Sequence, residues 1–137
     1  MLQLESIEDA YSFHSYDEQS IKLIKPKHTI HNHHNIEDDL IELRASVLIY
    51  KDCLISKNWP VSFSQFDQAC IKQLTNTDAD IFLIATGSYC QFPEKECLQY
   101  IADQKLAIDF MDIGAAARTF NILSSEYRKV AALIFFS

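Results

Sequence analysis

At 137 residues, with 48% hydrophobic and 23% charged content, the chain has the size and composition of one compact domain over residues 1–137, which excludes a disordered or fibrous class. Nineteen acidic against twelve basic residues leave a formal charge of −7, which repels a phosphate backbone and argues against nucleic acid as a partner. No apolar run reaches the ~20 residues of a membrane-spanning helix, and "MLQLESIEDAYSFH" lacks a basic stretch followed by an apolar one, so a cytoplasmic protein that does not span the membrane is expected.

In chain order, "SIKLI" reads as a first strand, and "HTIHNHH" follows with His28, His31, His33 and His34. His31 and His33 would share one face of a strand, but no carboxylate or cysteine at ligand spacing completes a metal set. The expectation there is a solvated hairpin, with no metal and no cofactor. "SVLIY" is the next strand. In "SFSQFDQACIKQL", Ser64 is the expected N-cap, with Asp67 three residues on and Phe66, Cys70 and Leu74 at helical spacing, so a helix is expected from Gln65 to Gln73.

Gly87 and Gly114 are the only glycines, where ordinary usage of ~7% would supply about ten, and each ends a bulky apolar run. "DIFLIATG" and "LAIDFMDIG" therefore read as buried strands, Ile81 to Ala85 and Ala107 to Met111, each leading into a turn. Between them Pro93 suits a first helical position, Glu94 and Glu96 suit the positive end of a helix dipole, and Cys97, Leu98 and Ile101 form an apolar stripe. A strand, helix and strand in this order close as a right-handed parallel crossover, bringing Gly87 and Gly114 to the same sheet edge.

After Gly114, "AAARTFNILSS" is expected to be a helix with Asp112 as N-cap, Ala116, Phe120 and Leu123 on one face, and Arg118 and Asn121 on another. The helix start favours an anion, Arg118 offers a planar fork for carboxylate or phosphate, and the Gly87 and Ser88 turn "TGSYC" would add backbone N–H groups if Gly87 takes a positive φ. A small polar cleft at the strand ends is one reading. The other has Arg118 pairing with Asp112, Asp109 or Glu126 while Asn121 ties down a loop. Glu126 and Arg128, in "SSEYRKV", ion-pair or clamp the turn into the last strand, and neither is assigned a catalytic role. "VAALIFF", Val130 to Phe136, is apolar on both faces and is expected to be a buried central strand.

Four scattered cysteines, Cys53, Cys70, Cys90 and Cys97, form no C-x-x-C pair and are expected to be reduced. Cys90 lies near an expected helix start, where a thiol can serve as an activated nucleophile, yet every histidine lies between His14 and His34, so a cysteine hydrolase lacks a local base. No catalytic residue is assigned.

"IFLIATGSYCQFP", "LAIDFMDIGAAARTFNILSSEYRKVAALI" and Trp59 in "KNWPV" resemble, over about Val47 to Ile134, the small α/β family that includes mitochondrial complex I assembly factor three and the adipogenesis-associated domain proteins. The resemblance implies a three-layer α/β/α sandwich around a mixed sheet, its C-terminal strand central and antiparallel to its neighbours. The family's glycine turn, its arginine-threonine-aromatic-asparagine segment and its glutamate-x-arginine correspond to Gly87, to Arg118, Thr119, Phe120 and Asn121, and to Glu126 and Arg128. Ala85 and Tyr127 stand where glycine is common, and Ile113 where threonine is. The resemblance implies a protein-interaction or assembly-factor-like module, with a role in respiratory or membrane complex assembly and a protein partner as expectations. Separately, an apolar strip on an edge strand or helix would drive self-association, and a homo-oligomer is expected on that ground. A protein or enzyme binding a small anion in a cleft around Gly87 and Arg118 is the alternative.

Overall fold

The computed structural model describes residues 10–27 and 39–136; the His28 to His34 cluster lies outside them. Eight strands and three α-helices are described: β1 Ser12–Tyr16, β2 Ile21–Ile24, β3 Leu40–Leu43, β4 Val47–Tyr50, β5 Cys53–Ile55, α1 Gln68–Leu74, β6 Ile81–Ala85, α2 Lys95–Asp103, β7 Ile108–Met111, α3 Ile113–Ser125 and β8 Val130–Ile134. They build a five-stranded sheet in the order β5-β4-β8-β6-β7 and a three-stranded antiparallel sheet β1-β2-β3.

Side-chain alternation along the five-stranded sheet makes two cores. Leu48, Phe82, Ile84, Ala131 and Leu133 face α1 and α2, whose Cys70, Ile71, Leu74, Cys97 and Ile101 complete one cluster. Val47, Ile49, Leu83, Ala85, Ala132 and Ile134 face the opposite side, where α3 contributes Ala116, Ala117 and Phe120 and the three-stranded sheet contributes Phe13, Ile21 and Leu23. The result is a three-layer α/β/α sandwich whose second outer layer joins α3 to the smaller sheet. The alanines of α3 let it lie close to the sheet, and Phe13 and Phe120 meet edge to face with centroids 5.4 Å apart.

β8 is central and buried along its whole length, as expected for an apolar run. Its orientation differs from the expectation on one side: β8 is antiparallel to β4 but parallel to β6. The reason is connectivity. β6, β7 and β8 are joined by α2 and α3, and strands joined through helices run parallel.

Two helix starts also differ. α1 begins at Gln68, not Gln65: Asp67 accepts from the Cys70 N–H at 3.2 Å, while Phe63–Gln65 forms a separate 3-10 turn. Extended Phe66 separates the two, and this break lets Phe63 and Phe66 stack in the core with centroids 5.5 Å apart. α2 begins at Lys95. Glu94 is extended and its carbonyl accepts from Cys97 and Leu98, so Pro93 precedes the cap instead of opening the helix.

Candidate functional site

The carboxyl ends of β6 and β7 meet where Gly87 and α3 begin. Gly87 has φ 113°, the positive value its turn requires, and its carbonyl accepts from Ile113 N–H at 2.9 Å. The Gly87 turn is thus a neighbour of Gly114, which lies in the first turn of α3 and not in the turn its place after an apolar run suggests. Asp112 caps α3, its Oδ1 accepting from Ala115 N–H at 2.8 Å. Buried Thr86 organises the loop after β6: its hydroxyl donates to the Tyr89 carbonyl at 2.8 Å and accepts from Gln91 N–H at 2.9 Å, while the Gln91 amide donates to the Thr86 carbonyl.

A cleft of about 360 Å³ opens at this edge, lined by Ser88, Asp112, Ile113, Gly114 and Arg118 on one side and by Tyr16, Asp17 and Glu18 on the other. The second wall is the tip of the β1–β2 hairpin. Asp17 builds that tip by accepting from the backbone N–H groups of Gln19 and Ser20, both at 2.8 Å, and those bonds hold its carboxyl below the usual carboxylate range. Tyr16 crosses the start of α3. A Cβ on Gly114 would stand 2.5 Å from the Tyr16 hydroxyl oxygen, so glycine makes room for this crossing. Arg118 Nη1 donates to the same hydroxyl at a long 3.4 Å.

Of the residues singled out from sequence, Ser88, Asp112, Gly114 and Arg118 line the cleft together, and Gly87 supports it through its backbone. Thr119 is half-buried on α3 outside the lining. Asn121 faces elsewhere, with its side-chain oxygen accepting from Phe13 N–H at 2.8 Å and its amide donating to the Phe13 carbonyl at 2.9 Å. Glu126 and Arg128 are exposed at the far end of α3, about 20 Å of helix away. Among the described residues Arg118 pairs with none of Asp112, Asp109 or Glu126; its recorded partner is Tyr16. Nothing local in the sequence marks Tyr16, Asp17 and Glu18 as site residues. The signal in "YDEQS" is a turn, with Asp three residues before Ser, but its place over α3 is tertiary.

The cleft is amphoteric. Its lining holds three carboxylates, Asp17, Glu18 and Asp112, and one guanidinium, so the charge there offsets the attraction an anion would find at Arg118 and the α3 start. Cys90 donates to the Phe110 carbonyl at 3.4 Å, sealing part of the β7 edge. Among the described residues no group of three or more histidines, cysteines or carboxylates could hold a metal, and no helix is long and apolar enough to cross a membrane.

Fold and cleft together define a small mixed α/β protein with a polar edge at its strand ends. The chain belongs to the family described as a protein of unknown function (DUF498/DUF598), whose model matches residues 13–135. It is 36% identical over 58 residues to the 13 kDa major membrane protein of Francisella tularensis, a match covering 42% of this chain and 47% of the relative, so under half of that relative's length is spanned. The solution structure of a Xanthomonas campestris protein is similar at TM-score 0.69 and 27% identity, over 91% of this chain and 83% of that one. A Bordetella pertussis protein described as an Mth938-like domain is similar at TM-score 0.66 and 17% identity, over 98% of this chain and 91% of that one, a likeness of fold.

Proposed function

We propose that this chain is a non-enzymatic protein-interaction module of the assembly-factor kind, kin to the group that includes mitochondrial complex I assembly factor three. The observation that carries the reading is the loop after β6. Tyr89 and Phe92 stand 64% and 67% exposed on a loop that buried Thr86 holds from beneath. Large aromatic side chains on a pre-ordered backbone are what interface anchors require, since little freedom is lost on docking. The polar residues of the motif have structural work of their own: Asp112 caps α3 and Asn121 holds Phe13. Work at or near a membrane is supported by the name of the Francisella relative, a major membrane protein. A reducing compartment such as the cytoplasm is supported by four free thiols, two of them exposed.

The test is native mass spectrometry of the protein gently purified from its own cells, compared with the denatured sample. A second polypeptide at fixed stoichiometry, lost on denaturation, is the expected result. A chain found alone, or only with copies of itself, sinks the reading of a separate partner.

A second reading, a small-anion-binding protein or enzyme, is favoured by the exposed Arg118 guanidinium in the cleft and opposed by Asp17, Glu18 and Asp112. It requires that Arg118→Ala abolish phosphate or carboxylate binding by calorimetry while leaving the melting temperature in place.

A further inference from the structure

We propose that the Tyr89 to Phe92 loop, with edge strand β7 beside it, is a docking surface for a basic segment of a partner protein that carries a large apolar side chain. The inference rests on the interaction reading above and adds the place and the chemistry of the partner.

Phe92 is the outer end of an aromatic chain that runs into the core. Its ring meets Phe110 edge to face at 6.2 Å; Phe110 in turn meets Phe63 at 5.8 Å and Phe66 at 5.6 Å, and both of these meet Phe135. The loop is therefore fixed at two points, by Thr86 through its backbone and by Phe110 through its ring. A bulky side chain held firmly in solvent is the reverse of the usual burial preference, and such groups mark contact surfaces when they cluster.

The charge around this apolar centre is predominantly negative. In the proposed surface, residues 87–96 and 107–112, Lys95 is the single cation against Glu94, Glu96, Asp109 and Asp112. Asp67, Glu94 and Glu96 lie close enough to Cys97, after burial, to push its thiol up, which places these three carboxylates around the start of α2. The α2 dipole accounts for the position of Glu94 and Glu96, yet both remain exposed and available to a partner. An aromatic anchor with an acidic rim is complementary to a segment with lysine or arginine on either side of a large apolar side chain. A second copy of this chain would bring its own −7 charge and, in a two-fold interface, the same acidic rim. An anionic membrane is repelled for the same reason.

The probe is a short synthetic peptide alternating arginine with leucine and phenylalanine, compared with the same peptide carrying glutamate for arginine. Backbone amide shifts on the intact protein locate the binding, and fluorescence anisotropy measures it. Shifts confined to residues 87–96 and 107–112 are expected for the basic peptide, with no binding of the acidic one. Phe92→Ser and the pair Glu94→Lys with Glu96→Lys should each weaken binding about tenfold or more, with circular dichroism unchanged. Shifts spread over the acidic surface, with affinity indifferent to Phe92→Ser, would overturn the proposal. So would a wild-type dimer that Phe92→Ser dissolves, or binding to neutral phosphatidylcholine vesicles that Phe92→Ser removes. If the polypeptide recovered by native mass spectrometry stays bound to both variants, the interaction reading stands and this surface falls. If the peptide docks as described but no cellular polypeptide is recovered, the chemistry assigned to this surface stands, and the reading of a stably bound separate partner falls.

Discussion

Asn121 on α3 brackets Phe13 on β1, 108 residues earlier, accepting from its N–H and donating to its carbonyl at 2.8 and 2.9 Å. The side-chain amide thereby does for Phe13 what a neighbouring strand would do, at the point where the β1–β2 register shifts between Phe13 and Ser15. The pair docks the three-stranded sheet on α3, beside the edge-to-face contact of Phe13 with Phe120. Asn121→Ala leaves both Phe13 groups without this partner in a part-buried site. A loss of about 1–3 kcal/mol is expected, read as a lower urea midpoint. An unchanged midpoint would show that water replaces the amide freely and that the bracket contributes nothing.

This bracket also marks where the sequence stops being readable. β6 and α3 are legible because their signals are local: an apolar run ending at glycine, then Asp112 ahead of a helical pattern. The partner of Asn121 has no local signal, since only the packing of two distant elements brings Phe13 to it. β1 and β3 are hard to see because each is short and mixes polar with apolar residues, as half-buried strands at sheet edges do, and β5 is only three residues long. The start of α1 is a contest between two good caps, Ser64 and Asp67, and the burial of Phe63 and Phe66 decides it. The cleft is half legible. Gly114 and Arg118 follow from the turn, whereas the Tyr16 wall depends on where the first hairpin lands.

Tyr16 and Gly114 should be energetically coupled. Gly114→Ala improves helix propensity by up to about 1 kcal/mol, but its Cβ meets the Tyr16 hydroxyl at 2.5 Å and the ring carbon behind it at 3.0 Å. The tyrosine must swing aside, so the single substitution should change stability little and reshape the cleft. In a Tyr16→Ala background the same change should stabilise the protein by about 1 kcal/mol. A double-mutant cycle by urea denaturation measures the difference. Additive effects would mean that Tyr16 moves away without cost.

Tyr127 ends α3 in a conformation glycine prefers. Its φ is 60°, its N–H donates to the Ser124 carbonyl and the Arg128 N–H to the Leu123 carbonyl, both at 3.0 Å. These are the two bonds of a Schellman ending, and Tyr127 is its left-handed residue. The ring is 85% exposed, so little packing is lost on removing it. Left-handed backbone costs a non-glycine residue about 1–2 kcal/mol, against about 0.5–1 kcal/mol for glycine's extra freedom when unfolded. Tyr127→Gly should therefore raise stability by up to about 1 kcal/mol. Tyr127→Ala, which keeps a Cβ, should not. Equal effects of the two substitutions would assign the change to the ring and not to the backbone.

Tyr50 gives the fold a specific alkaline sensitivity. Its hydroxyl donates to Asp78 Oδ1 at 2.5 Å, and burial, that bond and the nearby Asp78 charge push its ionisation well above the usual tyrosine value. The unfolded chain loses this proton near pH 10, while the folded protein keeps it to a higher pH. Stability from Tyr50 is thus fully present below pH ~10 and falls above it by up to about 1.4 kcal/mol per pH unit, because the unfolded state then binds fewer protons. Tyr11 and the thiols of Cys53, Cys70 and Cys97 shift in the same direction, so the total alkaline slope is shared. The difference between wild type and Tyr50→Phe isolates the Tyr50 part. At the acid end the same bond, with the Lys51 and Lys129 charges, holds the Asp78 carboxyl below its ordinary value. That contribution is present above the unfolded carboxylate pKa and is lost as pH falls through the lower folded value. Urea denaturation of both proteins from pH 3 to pH 11 should give curves that run in parallel near neutrality and converge at each end. Curves parallel across the whole range would mean that the Tyr50 and Asp78 bond survives ionisation or forms equally in the unfolded chain.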